Sequence, residues 1–467
     1  MLTNTLEYSS VTKKFLTFAI LLILASCGGE KGSGSNLDGV QSADDQENNS
    51  PVNVIVEESN DSASQDEASE EAENSSDNQE EEVQEEQEEE TTSETTPPIE
   101  PPPVIETPPS IADCENSALQ EDVVDIKPPA VAADVHSLAL DPNRHGTIYM
   151  GTDFNGLWKS EDCGASWKEL DSNLAIRNSK TWSLAIDPLN SDILYASVGY
   201  SGVYDALYKS YNAGESWEVI WPPQDQQEYW VGERGIMAYA FANNVTLDPN
   251  NNLHLILTFH LKCETAYTLS SLCFAETFDG GLSWKLIEGQ AEWSIPAGAN
   301  YLSNQIHILD SDTWVLTTYG NNIGVQLMEG METPDNYRAT KIPGLDGIHY
   351  QGSQSLQSST SGTWFLPTHD GIARSQSKAA NDWQIIPGTG PVTAAIIETE
   401  NTLYASYCLF PNFCDPKILK SENDGLNWEP INIPFNDLKL GGYLAYDSAH
   451  QFLYFSTGNR LLRIKTE

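Results

Sequence analysis

From residue 136 onward the chain repeats one arrangement of apolar and polar positions. Short runs rich in Val, Ile, Leu, Tyr and Trp are separated by turns of Gly, Asp, Asn, Pro and Ser, the pattern of β-strands joined by tight connections. The segment HSLALDPNRHGTIYMGTDFNGLWKSEDCGASW (136–167) returns as WSLAIDPLNSDILYASVGYSGVYDALYKSYNAGESW (182–217), in the order strand, Asp-Pro turn, second strand, third strand, turn and Trp. Recurrence at a fixed period predicts a repeat architecture. Strand groups recur near 136–170, 181–220, 243–288, 304–342, 348–386 and 392–432, and YLAYD, FLYFS and RLLRIK follow within 443–465. The last group lacks a fourth strand. The segment Val123 to Ile126 can supply it, joining both ends of the array into a ring with no free sheet edge. The expectation is an all-β fold, a single β-propeller of seven four-stranded blades with about 50 residues each.

The repeats share a second signature, Ser/Thr-x-Asp/Asn-x-Gly-x-x-Trp. It occurs as Ser160, Asp162, Gly164 and Trp167; Ser210, Asn212, Gly214 and Trp217; Thr277, Asp279, Gly281 and Trp284; and Ser421, Asn423, Gly425 and Trp428. Asp or Asn bonds the turn's own backbone N–H groups, Gly takes a positive φ, and Trp buries a large ring at the blade edge. Two degenerate copies fill the gaps: SQSKAANDW, ending at Trp383, has lost the Asp and Gly, and MEGMETPDNY, ending at Tyr337, keeps the aromatic. These residues resemble the Asp-box, or BNR, repeat of sialidases, sortilin-type receptors, xyloglucan-active hydrolases and photosystem assembly-factor-like propellers. TIYMGT and GLWKS after an Asp-Pro turn are most similar to the sortilin and xyloglucanase style. The resemblance implies that the box residues are folding devices on the face away from a typical active site.

Ahead of the repeats the hydropathy changes twice. Lys13 and Lys14 precede an apolar run from Phe15 to Ala25 that is too short for a permanent membrane span, so residues 1–26 read as a signal peptide. Leu24-Ala25-Ser26-Cys27 resembles the bacterial lipobox, which implies lipidation of Cys27 and stable anchoring by several acyl chains. Gly28 in place of Asp leans towards the outer membrane of a bacterial cell envelope. From Asp38 to Glu106 there are 24 acids and no Lys or Arg, with almost no aromatics, which accounts for 24 of the 46 net negative charges. Such a segment cannot bury enough apolar surface to offset its chain entropy, so residues 27–113 are expected to be a disordered acidic tether reaching about 50 Å. The Pro-rich end, Pro97 to Pro109, reads as a stiffer spacer. The propeller then occupies 114–467.

The acidity excludes nucleic acid as a natural partner and leaves room for a cationic one or for Ca²⁺. The chain is expected to act as a monomer whose membrane contact is the lipid anchor. Of seven cysteines, six remain once Cys27 is lipidated, and export permits disulfides. Proximity pairs Cys263 with Cys273 and Cys408 with Cys414, which leaves Cys114 for Cys163, among the other pairings six cysteines allow. No CxxC, HExxH or Cys/His spacing appears, so neither a metal nor a cofactor is expected.

Ligand contacts are expected in the inter-blade connections, which are longer than a propeller needs. Candidates are Trp221, Tyr229, Trp230 and Arg234 after blade 2, Trp293 beside Glu292 after blade 3, and Tyr350 beside Asp346 and His349 after blade 4. Two carboxylates occupy equivalent places just after a second strand: Asp153 in GTDFNGLWKS and Asp370 in THDGIARS. TDFNGLWKS is similar to the stretch carrying a catalytic Asp in xyloglucan-active hydrolases. A glycosidase needs two carboxyls about 5–5.5 Å apart for retention or roughly 6.5–9.5 Å apart for inversion. A sialidase is excluded by the missing Arg-Ile-Pro motif and the scarcity of arginines. The sequence therefore supports a surface-displayed, non-catalytic propeller for ligand recognition or scaffolding. The alternative is a glycoside hydrolase or polysaccharide-binding protein using Asp153 and Asp370.

Overall fold

The computed structural model describes residues 106–114, 121–170, 174–199, 205–223, 242–259, 273–288, 304–318, 324–331, 338–345, 356–358, 360–368, 370–390, 393–407, 416–439 and 441–466. All lie in the compact unit Thr95–Glu467. They form seven four-stranded antiparallel sheets arranged as the blades of a β-propeller. Blade 1 runs from hub to rim as Val135–Leu140, Ile148–Thr152, Leu157–Ser160 and Lys168–Glu169. Blade 2 repeats this with Lys180–Ile186, Leu194–Gly199, Ala206–Ser210 and Glu218–Trp221. The hub strands of blades 3 to 6 are Ala242–Asp248, Asn304–Ile308, Leu356–Gln357 and Thr393–Glu398.

Second strands such as Ile148–Thr152 and Leu194–Gly199 are buried at every position. A strand covered on both faces by neighbouring blades reads as a continuous apolar run rather than an alternation. Between blades 1 and 2, for example, Tyr149, Leu157, Leu194, Ala196 and Tyr208 make one cluster.

Blade 7 takes three strands from the C-terminal end, Gly441–Asp447, Phe452–Thr457 and Leu461–Lys465, and its fourth from Val123–Asp125. Val123 pairs with Ile464 and Asp125 with Leu462, as the repeat count requires. Ile126, at the end of this strand, packs with Val131, Met150, Trp158 and Tyr454 across the seam between blades 7 and 1.

The tether boundary differs from the sequence expectation. Ser110–Ile111 runs parallel to Arg144–His145, and the Thr107 N–H donates to Leu189 O at 2.9 Å, so pairing begins upstream of Cys114. The open backbone of the Asp-Pro turns offers these partners. Cys114 is joined to Cys163 with a Cα–Cα distance of 5.6 Å. Cys27, Cys263, Cys408 and Cys414 lie outside the described residues, and with Cys263 goes the pairing assigned to Cys273.

The four Ser/Thr-x-Asp/Asn-x-Gly-x-x-Trp segments are one turn repeated. In the first, Asp162 Oδ1 accepts from Ser160 Oγ and from the Ser166 N–H, each at 2.8 Å, while Ser160 Oγ accepts the Gly164 N–H. Gly164 sits at φ +87°, and a Cβ there would stand 2.3 Å from Ile126 Cδ1, so nothing larger fits. The Trp167 indole donates to Ile126 O, tying the turn to the closing strand. In the degenerate copy, Asp382 accepts from the Gln376 and Ser377 N–H groups, replacing the lost Asp from the far side of the turn.

Antiparallel pairing sends the first-to-second and third-to-fourth turns of every blade to one side. This is the box face. The second-to-third turns and the inter-blade connections emerge on the other side, the connection face.

Candidate functional site

The hub strands enclose a channel of about 790 Å³. Five of them are bulged near the connection-face end, where the register shifts between Val135 and Ser137, Thr181 and Ser183, Ala242 and Asn244, Thr393 and Ile396, and Gly441 and Leu444. A bulge adds a residue and re-aims the chain. Among the bulge residues, His136, Trp182, Asn243 and Tyr443 are all buried, with His136 edge-on to Trp182 at 4.7 Å.

Beyond the bulges the wall mixes apolar and polar surface in about equal parts. Leu138, Leu140, Leu184, Ile186, Leu247, Ile397 and Tyr446 are half-buried around it, and Pro142, Pro188 and Pro249 of the Asp-Pro turns complete the lining. The channel therefore opens on the box face.

The acidic and histidine side chains on this wall are engaged. Asp248 Oδ2 bonds His254 Nδ1 at 2.8 Å, and Glu398 accepts from Ser358 Oγ of the preceding blade at 2.7 Å. Burial pushes His307 down to about 3, so it is a neutral imidazole, 3.4 Å from Thr317 Oγ1. Behind the wall, His254 Nε2 also meets Glu276 Oε1 at 2.9 Å. Burial alone would lower the His254 pKa, but the hydrogen bonds to Glu276 and Asp248 outweigh it and raise it above the usual histidine value.

The sequence-nominated residues fare differently. Asp153 lies in the second-to-third turn of blade 1, where Lys180 Nζ stands 3.0 Å from its Oδ1 and its own N–H donates to Asp134 O. Lys180 in turn lies 4.7 Å from the Trp182 ring centroid. Asp370 is exposed in the equivalent turn of blade 5. The two carboxylates sit on blades that are not neighbours in the ring.

Trp221 is a correction. It is 2% exposed, packed edge-on to Trp284 at 5.5 Å and against Phe259 at 5.4 Å, in the core between blades 2 and 3. It ends the outer strand of blade 2 rather than beginning a free loop, so blade 3 covers its ring. Tyr229, Trp230, Arg234, Trp293 and Tyr350 lie outside the described residues.

One Cys/His grouping among the described residues, Cys114, Cys163 and His450, has ligand atoms close together. Its sulfurs are joined to each other, and the His450 nitrogens face Asp447 Oδ2 at 2.8 Å and Ala112 O at 2.9 Å. Those contacts make the group a clasp that holds residues 110–114 against blades 1 and 7.

Sequence reasoning passed over the hub lining because hub strands read as ordinary core. The available signal was the Leu-x-Leu/Ile-Asp ending shared by Leu138-Ala139-Leu140-Asp141 and Leu184-Ala185-Ile186-Asp187.

Fold and hub together define a seven-bladed β-propeller with a central channel. No protein-family model and no curated protein sequence matches the chain. Among solved structures it is similar to YCF48 bound to D1 peptide, at 12% identity and TM-score 0.50 over 77% of this chain and all of that one. It is also similar to the BT3049 extracellular domain from B. thetaiotaomicron, at 11% identity and TM-score 0.51 over 72% of this chain and 40% of that one. The GH74 xyloglucanase from Xanthomonas campestris aligns at 15% identity and TM-score 0.49, over 73% of this chain and 52% of its own. The likenesses to YCF48 and to the BT3049 domain show the propeller fold alone.

Proposed function

We propose that this chain is a non-catalytic propeller of the Asp-box type that recognises or scaffolds a ligand at a bacterial envelope, held there by lipidated Cys27 and its acidic tether. The observation that carries the reading is the chemistry of the hub. Its wall sets leucine, isoleucine and proline side chains beside polar groups, and Asp248, His307 and Glu398 are committed to partners within the fold. Asp153, one of the two carboxylates the sequence offers for catalysis, is held in an ion pair with Lys180. A wall of this kind suits binding. Trp230 and Trp293, which the sequence assigns to inter-blade connections, remain proposed contacts.

The test uses the mature chain on arrays of glycans and of unstructured peptides, alongside incubation with xyloglucan and related polysaccharides. Saturable binding without release of reducing ends is expected. Release of reducing ends that disappears in Asp153→Asn would overturn the reading. For the anchor, Cys27→Ala should abolish labelling by a clickable fatty acid, and unchanged labelling would refute lipidation.

A further inference from the structure

A row of large apolar side chains is exposed on the turns of the box face. Phe154 is on the connection face, while Ile111, Leu189, Tyr211, Phe278, Leu282 and Leu426 are all on the box face, where the channel opens. All but Leu426 follow one another across blades 1 to 3. Ile111 lies on the segment paired with blade 1, and Thr107 of the same segment bonds Leu189 O. The Ala213 N–H donates to Asp192 O, folding the turn that carries Tyr211 against the turn that carries Leu189. Lys209 Nζ lies 4.7 Å from the Tyr211 ring and donates to Gly280 O, two residues from Phe278 and from Leu282.

Both aromatic rings are held from beneath. Phe278 stacks on His254 at 4.4 Å with the planes 5° apart, yet the residue is 56% exposed. Tyr211 rests on Lys209 and is 50% exposed. A ring fixed on one face and open on the other is an anchor that loses little freedom on binding.

The surroundings are acidic. The turns 141–147, 161–167, 187–193, 211–217, 248–253 and 278–284 carry eight Asp or Glu against the one Arg144. The flanking strands add Lys159, Lys168, Lys209 and Lys285, of which Lys159 and Lys168 reach Glu161 and Glu215; Asp141, Asp187 and Asp248 are buried in their turns, and eight acids against five cations leave the surround net negative.

We infer that this strip docks a basic polypeptide segment bearing apolar side chains, with the cations on the acidic surround and the apolar groups on Tyr211, Phe278 and Leu282. The inference rests on the recognition reading above and gives it a face and a partner chemistry. An anionic lipid surface would be repelled by the same acids. A glycan would leave Leu189, Leu282 and Ile111 without apolar partners.

The test measures binding of the full mature chain to a short synthetic peptide of alternating lysine and leucine by fluorescence anisotropy. A glutamate-for-lysine copy and phosphatidylcholine vesicles serve as comparisons. The Tyr211→Ser/Phe278→Ser/Leu282→Ser variant is expected to bind the Lys/Leu peptide at least about tenfold more weakly, as two or three lost anchors imply. Leu189→Ser/Leu282→Ser, which removes only exposed side chains, should show a smaller loss with unchanged melting. Equal binding by either variant, or equal binding of the glutamate copy, overturns the inference. So does vesicle binding that the variants lose while peptide binding persists. If ligands found on the arrays still bind the triple variant, docking on this strip fails while the recognition reading stands.

Discussion

Arg460 donates from Nη1 to Asp125 Oδ2 over 2.7 Å, linking residues 335 positions apart where the two ends of the propeller meet. The same guanidinium holds Asp437 at 3.0 and 2.7 Å and lies 4.4 Å from the Phe435 ring. The closing strand is thus fastened by charge at its exposed edge and by Ile126 beneath.

These two fasteners should differ in weight. Ile126→Ala removes a side chain that is 4% exposed and fills the seam under Gly164, and is expected to cost about 2–5 kcal/mol. Arg460→Ala acts on a partly exposed network and should cost about 1 kcal/mol or less. Urea unfolding of both variants checks the order, and Arg460→Ala as the more damaging would refute it. Deleting residues 35–105 should leave the melting temperature unchanged.

His254 predicts a loss of stability on the alkaline side. Its folded pKa is raised above the unfolded value, so its contribution is complete below about pH 6.5 and disappears as pH climbs through the raised folded value. Melting temperature should fall across that window in the native chain. In His254→Gln the overall stability should be lower and the slope flatter, because Asp248 and Glu276 lose their cation. An identical pH slope in both chains would count against the ion triad.

Acid stability should divide the box turns by residue type. Hydrogen bonds from Ser166 and Ser160 hold Asp162 below its usual pKa against the opposing effect of burial, and Ser283 and Thr277 do the same for Asp279. Each therefore stabilises the fold above about pH 3.8, and that contribution is lost as pH falls through the depressed value. The turns built on Asn212 and Asn423 carry no such dependence. Asp162→Asn/Asp279→Asn should fold at neutral pH and unfold over a flatter acid limb, followed by circular dichroism from pH 5 downward. A limb superimposable on the native one would refute the assignment.

Trp221→Ala should behave as a core lesion. The ring fills the space between Phe259 and Trp284, so its removal is expected to cost about 3–5 kcal/mol, with binding changed only through the folded fraction. A stable Trp221→Ala chain with weakened ligand binding would return Trp221 to the ligand face.

What could be read in the sequence was local. Each box turn is framed within eight positions, from Ser160 to Trp167 in the first, by hydrogen bonds among its own residues, to which the fold adds only ties such as Trp167 to Ile126 O and Cys163 to Gly146 O. Strand periodicity is equally local, which is why the seven repeats and the orphan strand at Val123 stood out. Even the missing fourth strand of blade 7 was visible as a deficit in the count.

The tertiary structure decided which side of an element meets solvent. Trp221 has the composition of a loop aromatic, and only Phe259 and Trp284, arriving from the next blade, put it in the core. Leu140 and Ile186 have the composition of buried strand residues, yet ring closure leaves them lining a channel. Phe278 and Tyr211 stand at the same position of two turns whose counterparts elsewhere are Glu161 and Glu422, and it takes Lys209 bridging two blades to make the two rings neighbours. Burial is a property of the closed ring, set by contacts between residues far apart in sequence, whereas a turn or a strand is specified by the residues within it.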